Sequence, residues 1–397
     1  MTGAPTRPIS VPGYLVLGAL TMITPLATNL FVPALPAIAA AFGSTPADAQ
    51  LTVSATLIGI ALGQLIIGSI SDRLGRRMPA LIGTGAFVVL SLLCAVAPTL
   101  PILVGLRFLE GFAGASGVVL ARASIRDRTS GRSAAQALSR LLVVAAIAPV
   151  IGPFLGALVL QAIDWHGVFV LLACMGAIAF GLSLRWFPET WHRRTVDEAK
   201  RAQESLARQE LVRDPRFWAM VGVTALLGLI SFSWLSTGSF FLTQQYGVGA
   251  VEYSIILGLS SAAFLVSAWI NSRAVIVIGP VRALVRGLVI VAAAAVVLVL
   301  GTLAHWPLPV VAGSAIVSVG AFGGMIANAQ AIAMDRHGNA AGTASAFLGS
   351  SQFLLGALVP PVVTAAFGAT WAMGATMLVG AMGALLLTLG VSRQRAR

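Results

Sequence analysis

Apolar runs of about 20 residues follow one another along the whole chain, each closed by a polar link. A run of that length is enough to cross bilayer hydrocarbon as an α-helix. Twelve spans are predicted, near 13–33, 49–70, 79–97, 101–123, 136–160, 165–187, 217–243, 252–272, 284–304, 308–334, 343–367 and 370–390. The first lies in PGYLVLGALTMITPLATNLFVPALP (12–36), too long for the core of a cleaved signal peptide and without a clear small-residue cleavage site. It is expected to be a retained span. One long polar stretch interrupts the series, PETWHRRTVDEAKRAQESLARQELVRDPR at 188–216. Its charges alternate, and Thr195 with Glu198 makes a capping box, so a short amphipathic helix along the cytoplasmic face is predicted. The expected organisation is a six-helix bundle over 1–187, a linker over 188–216 and a second six-helix bundle over 217–397.

The charges test the count of spans. With links numbered alternately from the inside, twenty-four of the twenty-five Lys and Arg residues fall on the inner side and none in the outer links; the remaining one is Arg107. Basic residues collect on the cytoplasmic side of membrane proteins, so both termini are expected inside, in a multi-pass protein of the cytoplasmic (inner) membrane. The net charge of +12 is thus accounted for by links facing an anionic leaflet, and no nucleic-acid partner is implied. Only 10% of residues are charged and 58% are hydrophobic, too few charges to solvate a soluble domain of 397 residues.

Several chemistries are excluded. There is no GxxxxGK[ST] loop, and the lone lysine, Lys200, stands in the charged linker. HExxH, CxxC and GxSxG are absent. Cys94 and Cys174 occupy separate apolar runs, and His166, His192, His305 and His337 occupy separate links. Neither a disulfide framework nor a metal or cofactor site follows, and a membrane enzyme is a poor fit. A transporter is expected, with the bilayer and a small molecule as its partners.

Span two ends in GQLIIGSISDRLGRR (63–77), where Asp72, Arg73, Arg76 and Arg77 crowd a link too short for slack. This stretch resembles the signature loop of the major facilitator superfamily. The resemblance implies a fold of two pseudo-symmetric six-helix bundles and a charge-relay latch built from Gly63, Gly68, Asp72, Arg73, Gly75, Arg76 and Arg77. The second half carries an echo, INSRAVIVIGPVRAL (270–284), with Gly279 and Arg282 in place but Ile276 near the position of the aspartate. A second latch is therefore expected to be weaker or differently built. In span five, IAPVIGPFLGALV (147–159) places Pro149, Gly152, Pro153 and Gly156 where they permit a bend and tight packing. That stretch resembles the glycine–proline motif of the superfamily's exporters. NLFVPALPAI (29–38), RASIRD (122–127), FPET (187–190) and AGTASAFLGSSQFLLGA (341–357) resemble the Bcr/CflA-type drug-resistance branch, which includes amphenicol exporters. In one respect the chain departs from that branch: Asn29 stands where an acid is common, and an amide cannot titrate.

Of thirteen acids, only Glu110 falls inside the hydrocarbon, about nine residues or roughly 14 Å below the outer start of span four. Arg107 lies three positions before it, on nearly the same helix face. A carboxylate there is costly unless paired, so its protonation is expected to depend on its surroundings. Arg107 with Gly111 also resembles the RxxxG element associated with proton coupling in drug antiporters. Glu110 and Arg107 are accordingly the expected proton-coupling pair, with Glu110 taking the part that Asn29 cannot. By analogy with facilitator cavities, Asn29, Phe31, Gln64, Trp234, Phe241, Asn328 and Gln352 are nominated to bind substrate. The expected function is proton-coupled efflux of small hydrophobic or amphipathic drugs by a monomer. The competing expectation is a facilitator or proton symporter of a small metabolite on the same fold.

Overall fold

A computed structural model describes residues 11–129, 131–190, 206–207, 209–335 and 341–396. The regular elements are helices: α1 (Val11–Asn29), a 3₁₀ turn (Val32–Ala34), α2 (Leu35–Ala41), α3 (Pro46–Leu74), α4 (Arg77–Ala95), α5 (Leu100–Arg128), α6 (Gly131–Ala162), α7 (Trp165–Trp186), α8 (Pro215–Tyr246), α9 (Ala250–Ile278), α10 (Pro280–Leu303), α11 (Leu308–Gly320), α12 (Phe322–Met334) and α13 (Ala341–Ala396). The predicted linker helix around Thr195 and Glu198 lies outside the described residues.

The spans expected from the sequence are present, with two of them interrupted and two merged. Span one ends its first helix at Asn29 and continues through the 3₁₀ turn, whose Pro33 has no N–H to extend the ladder. Span ten is interrupted at Ala321 between α11 and α12. The last two spans form one continuous run, α13, broken at Gly368, where φ 79 and ψ 160 are non-helical values that a residue with a Cβ avoids. That break falls in the gap predicted between 367 and 370.

Lipid, unlike water, accepts an apolar surface, so the outward faces are as hydrophobic as the inward ones. Along α6 the exposed large apolar side chains are Leu142, Val143, Ile147, Ile151, Phe154 and Leu158. Its buried face carries Ala148, Gly152, Pro153 and Gly156. Small residues select the packed face because they let backbones approach.

Two compact units result, one comprising residues up to Ser44 with Ala55–Arg193, the other Thr45–Ser54 with Arg194–Arg397. The N-terminal end of α3 thus groups with the second unit, where Ser54 Oγ donates to the Ala357 carbonyl at 2.5 Å. In the first unit α1 packs on α5, α6 and α7, and α4 lies against α5 and α7. In the second, α8 and α10 pack on α13, and α9 packs on α11 and α12. The same pairings recur in both. A Cβ at Gly156 of span five would fall 1.8 Å from the Leu30 carbonyl oxygen of span one, and a Cβ at Gly228 of span seven would fall 2.1 Å from that of Gln352 in span eleven. Helix contacts that only glycine permits are therefore repeated, as two copies of one six-helix plan require.

Candidate coupling and substrate sites

The break in span one organises the first unit. Because α1 stops at Asn29, its last carbonyls lack the partners that a further helical turn would supply. Arg107 of α5 fills one of these places: its Nη2 donates to the Ala27 carbonyl at 2.6 Å, putting a cation at a helix C-terminus. The guanidinium lies over the Phe31 ring, 4.1 Å from its centroid, and 5.5 Å from that of Phe169 on α7. Arg107 Nη1 donates to Glu110 Oε2, closing the predicted ion pair. The other side of the carboxylate faces α4, where Ser91 Oγ donates to Oε1 at 2.6 Å and Cys94 Sγ lies 3.9 Å from Oε2. Both charged side chains are 0% exposed, and Arg107 Nε has no partner among the described residues. One ion pair therefore joins four elements: α5, the broken end of α1, α4 and α7.

The span-five motif presses on the same break. Gly152 approaches Asn29, and Gly156 contacts the Leu30 backbone. Pro149 and Pro153 lie inside α6, which continues through them. Asn29 itself is partly buried, and its amide donates to the Pro25 carbonyl at 2.9 Å and to Thr28 Oγ1 at 3.0 Å. Phe31, nominated with the substrate residues, sits at 0% exposure beneath Arg107 and belongs to the ion-pair cluster.

At the α3–α4 turn, Gly75 adopts φ 89, a left-handed value that suits glycine, so the chain reverses within the short link. Arg76 is buried and central. Its Nη1 donates to Ser71 Oγ and Asp72 Oδ1, both at 2.6 Å, and its Nε donates to Asp127 Oδ2 at 2.9 Å. Burial works against its charge, but the hydrogen bonds to Asp127 and Asp72 outweigh it and hold the guanidinium above its ordinary pKa. Glu189, just after α7, accepts from the backbone N–H groups of Arg76 (2.8 Å) and Arg77 (3.1 Å), capping α4 from another part of the chain. Arg77 Nη2 returns a bond to the Leu184 carbonyl at 3.0 Å, and Thr190 Oγ1 donates to Asp127 at 3.3 Å. Gly63 lies tight against Phe112 and Ala115 of α5, whereas Gly68 makes only an ordinary contact with Val119; Asp72 and Arg73 are exposed. Sequence reasoning missed Asp127, Glu189 and Thr190, although RASIRD and FPET, which contain them, had stood out as motifs.

In the second unit, Asn328 makes a reciprocal amide pair with Asn271, at 2.8 and 3.1 Å, which ties α12 to α9. Trp234 and Phe241 are buried on α8; the Trp234 ring lies 6.2 Å from Tyr253 of α9 and that of Phe241 6.0 Å from Tyr246. Gln352 offers its backbone to Gly228 and is partly exposed, as is Gln64 in the first unit. Asn29 and Phe31 gather at the span-one break, while Trp234 and Asn328 belong to separate polar groups in the second unit.

Comparison with known proteins gives a consistent picture. A family model described as Major Facilitator Superfamily matches residues 17–360. An uncharacterized MFS-type transporter of Bacillus subtilis, YdgK, is 33% identical over 96% of this chain and 95% of its own. A bicyclomycin resistance protein homolog of Haemophilus influenzae is 27% identical over 94% and 95%. Multidrug resistance protein MdtL of Escherichia coli is 29% identical over 61% of each chain. Among solved structures, a point mutant of the nucleoside transporter NupG superposes with a TM-score of 0.76 at 14% identity, over 96% of this chain and 99% of that one; at this identity the likeness speaks for the fold alone.

Proposed function

The chain belongs to the major facilitator superfamily, in its drug-resistance branch, and from that premise we propose that it exports small hydrophobic or amphipathic drugs in exchange for protons. It is a multi-pass membrane transporter and not an enzyme. The proposal places it in the cytoplasmic membrane with both termini inside, on the strength of the segregated basic residues.

The observation that carries the coupling is the enclosed Arg107–Glu110 pair at the end of α1. Breaking such a pair by neutralising one member costs about 3–5 kcal/mol, because the other charge stays buried. At 1.4 kcal/mol per tenfold, protonation of Glu110 is enough to shift a conformational equilibrium by roughly two to three and a half orders of magnitude. The carboxylate has no exposed atom in this conformation, so a proton reaches it in another one. A group that is sealed in one state and open in another couples proton movement to the conformational cycle and resists leak.

Flux from proteoliposomes under an imposed pH gradient tests the proposal, with bicyclomycin and chloramphenicol as drugs. Wild-type protein is expected to move drug against the proton gradient, and Glu110→Gln is expected to keep exchange while losing the gradient dependence. Full gradient dependence in Glu110→Gln would remove the carboxyl from the mechanism. Net uptake driven in the same direction as protons would identify a symporter instead.

A further inference from the structure

Hydroxyl side chains in membrane helices ordinarily bond back to the carbonyl three or four residues earlier. In the second unit most do so: Thr224 to Met220, Ser236 to Phe232, Ser254 to Ala250, Ser260 to Ile256 and Thr302 to Leu298. On α8, Ser233 and Thr237 depart from this habit, as does Ser239. Ser233 and Thr237 are 0% exposed, and neither hydroxyl has a partner among the described residues. They stand four residues apart, on one helix face, with Trp234 between them. The Trp234 Nε1–H and the Tyr253 hydroxyl are also unpartnered, at 1% exposure each, and the two rings lie 6.2 Å apart. The indole bends over Gly238, whose missing Cβ leaves it room. Four hydrogen-bonding tips from two adjacent helices are thus buried and unused, which native proteins tolerate only rarely without a function for them.

We propose that these tips form a binding site for an uncharged compound carrying hydrogen-bond acceptors, a proposal that rests on the drug-export reading and narrows its substrate class. The indole can only donate, so the ligand must present an acceptor such as a carbonyl, nitro or hydroxyl oxygen. The hydroxyls of Ser233, Thr237 and Tyr253 then accept or donate as the ligand requires. The apolar run 217–246 contains no acidic or basic side chain, and the one acid of α9, Glu252 beside Tyr253, is exposed and accepts from the Gly249 N–H at the helix start. A lipophilic cation would find no counter-charge there, and burying it unpaired is costly. A neutral ligand meets no such penalty. In this conformation the site is closed over, and the tips are satisfied when the transport cycle admits the ligand.

Equilibrium binding to full-length protein in lipid nanodiscs tests this, with radiolabelled chloramphenicol and bicyclomycin as neutral probes and tetraphenylphosphonium as the cation. The wild-type protein is expected to bind at least one neutral probe without competition from the cation. Thr237→Val and Tyr253→Phe each remove one tip at nearly constant volume and are expected to weaken binding roughly three- to tenfold. Trp234→Phe is expected to do the same. The thermal midpoint should stay unchanged or rise in Thr237→Val, since no existing bond is lost. Ser236→Ala, whose hydroxyl already bonds to Phe232, should leave binding unchanged. Wild-type affinity in both Thr237→Val and Tyr253→Phe, competition by the cation, or no binding of either neutral probe overturns the site. If drug export persists in proteoliposomes under any of those outcomes, the export reading stands and only the site falls; if export is absent too, both fall.

Discussion

Glutamine in place of Glu110 changes one oxygen to an amide nitrogen and removes one charge. Its carbonyl can accept from Arg107 Nη1 while the new NH₂ group donates to the Ser91 hydroxyl, so the hydrogen bonds can be kept and the loss is the negative charge beside a buried guanidinium. The guanidinium keeps the Ala27 carbonyl and the Phe31 ring, so the cost belongs near the lower end of the range for a broken buried pair, about 3 kcal/mol. That corresponds to roughly a hundredfold rise in the population of states in which this cluster is open. A reporter is built in. Cys94 is 0% exposed beside the carboxylate, and Cys174, the other cysteine, can be replaced by serine. The rate at which a membrane-permeant maleimide modifies Cys94 in the Cys174→Ser background then reads the opening. Glu110→Gln is expected to accelerate it about a hundredfold. Arg107→Met combined with Glu110→Met, which leaves no stranded charge, should return much of the protection. Equal protection in Glu110→Gln and the parent would falsify the idea that the pair holds the first unit closed.

Other perturbations test separate parts of the structure. Arg76→Lys offers one ammonium where a planar fork serves Ser71, Asp72 and Asp127, and it is expected to cost about 1.5–3 kcal/mol, read as a lower thermal midpoint of the purified protein. Gly156→Ala drives a methyl into the Leu30 carbonyl and should impair folding or expression, whereas Gly181→Ala, with open space around it, should be neutral or stabilising by up to about 1 kcal/mol. Asp164 caps α7 through the His166 and Gly167 N–H groups, and Asp164→Ala should cost about 1 kcal/mol. Although slight burial opposes it, His166 and these N–H bonds hold the Asp164 carboxyl below its ordinary pKa. The charged cap therefore contributes above the usual aspartate range and is lost only as pH falls through the lowered value, which a pH series of melting midpoints on wild type and Asp164→Ala detects.

The spans were legible because their length is imposed by the bilayer and their links are marked by arginines. Even the division of the last apolar run at Gly368 could be anticipated from the gap between 367 and 370. The interruptions after Asn29 and at Ala321 were not, since neither changes the hydrophobic pattern. Glu110 stood out as the one acid in the hydrocarbon, and Arg107 as its neighbour on the same helix face. Their further partners could not be read: Ala27, Phe31, Ser91 and Phe169 reach the pair only through tertiary packing, from spans one, three and six. The same holds for Asn271 opposite Asn328 and Tyr253 opposite Trp234. The grouping of Thr45–Ser54 with the second unit also depends on packing rather than on any local signal.

The Asn271–Asn328 pair has a bearing on how the protein responds to acid. Two carboxamides that exchange N–H···O bonds have no proton to gain across the physiological range, so acidification leaves the α9–α12 fastening as firm as before. The α3–α4 turn of the first unit, by contrast, is built on the carboxylates of Asp72, Asp127 and Glu189. The two fastenings thus rest on different chemistry, a pair of amides in one unit and carboxylates around a single guanidinium in the other.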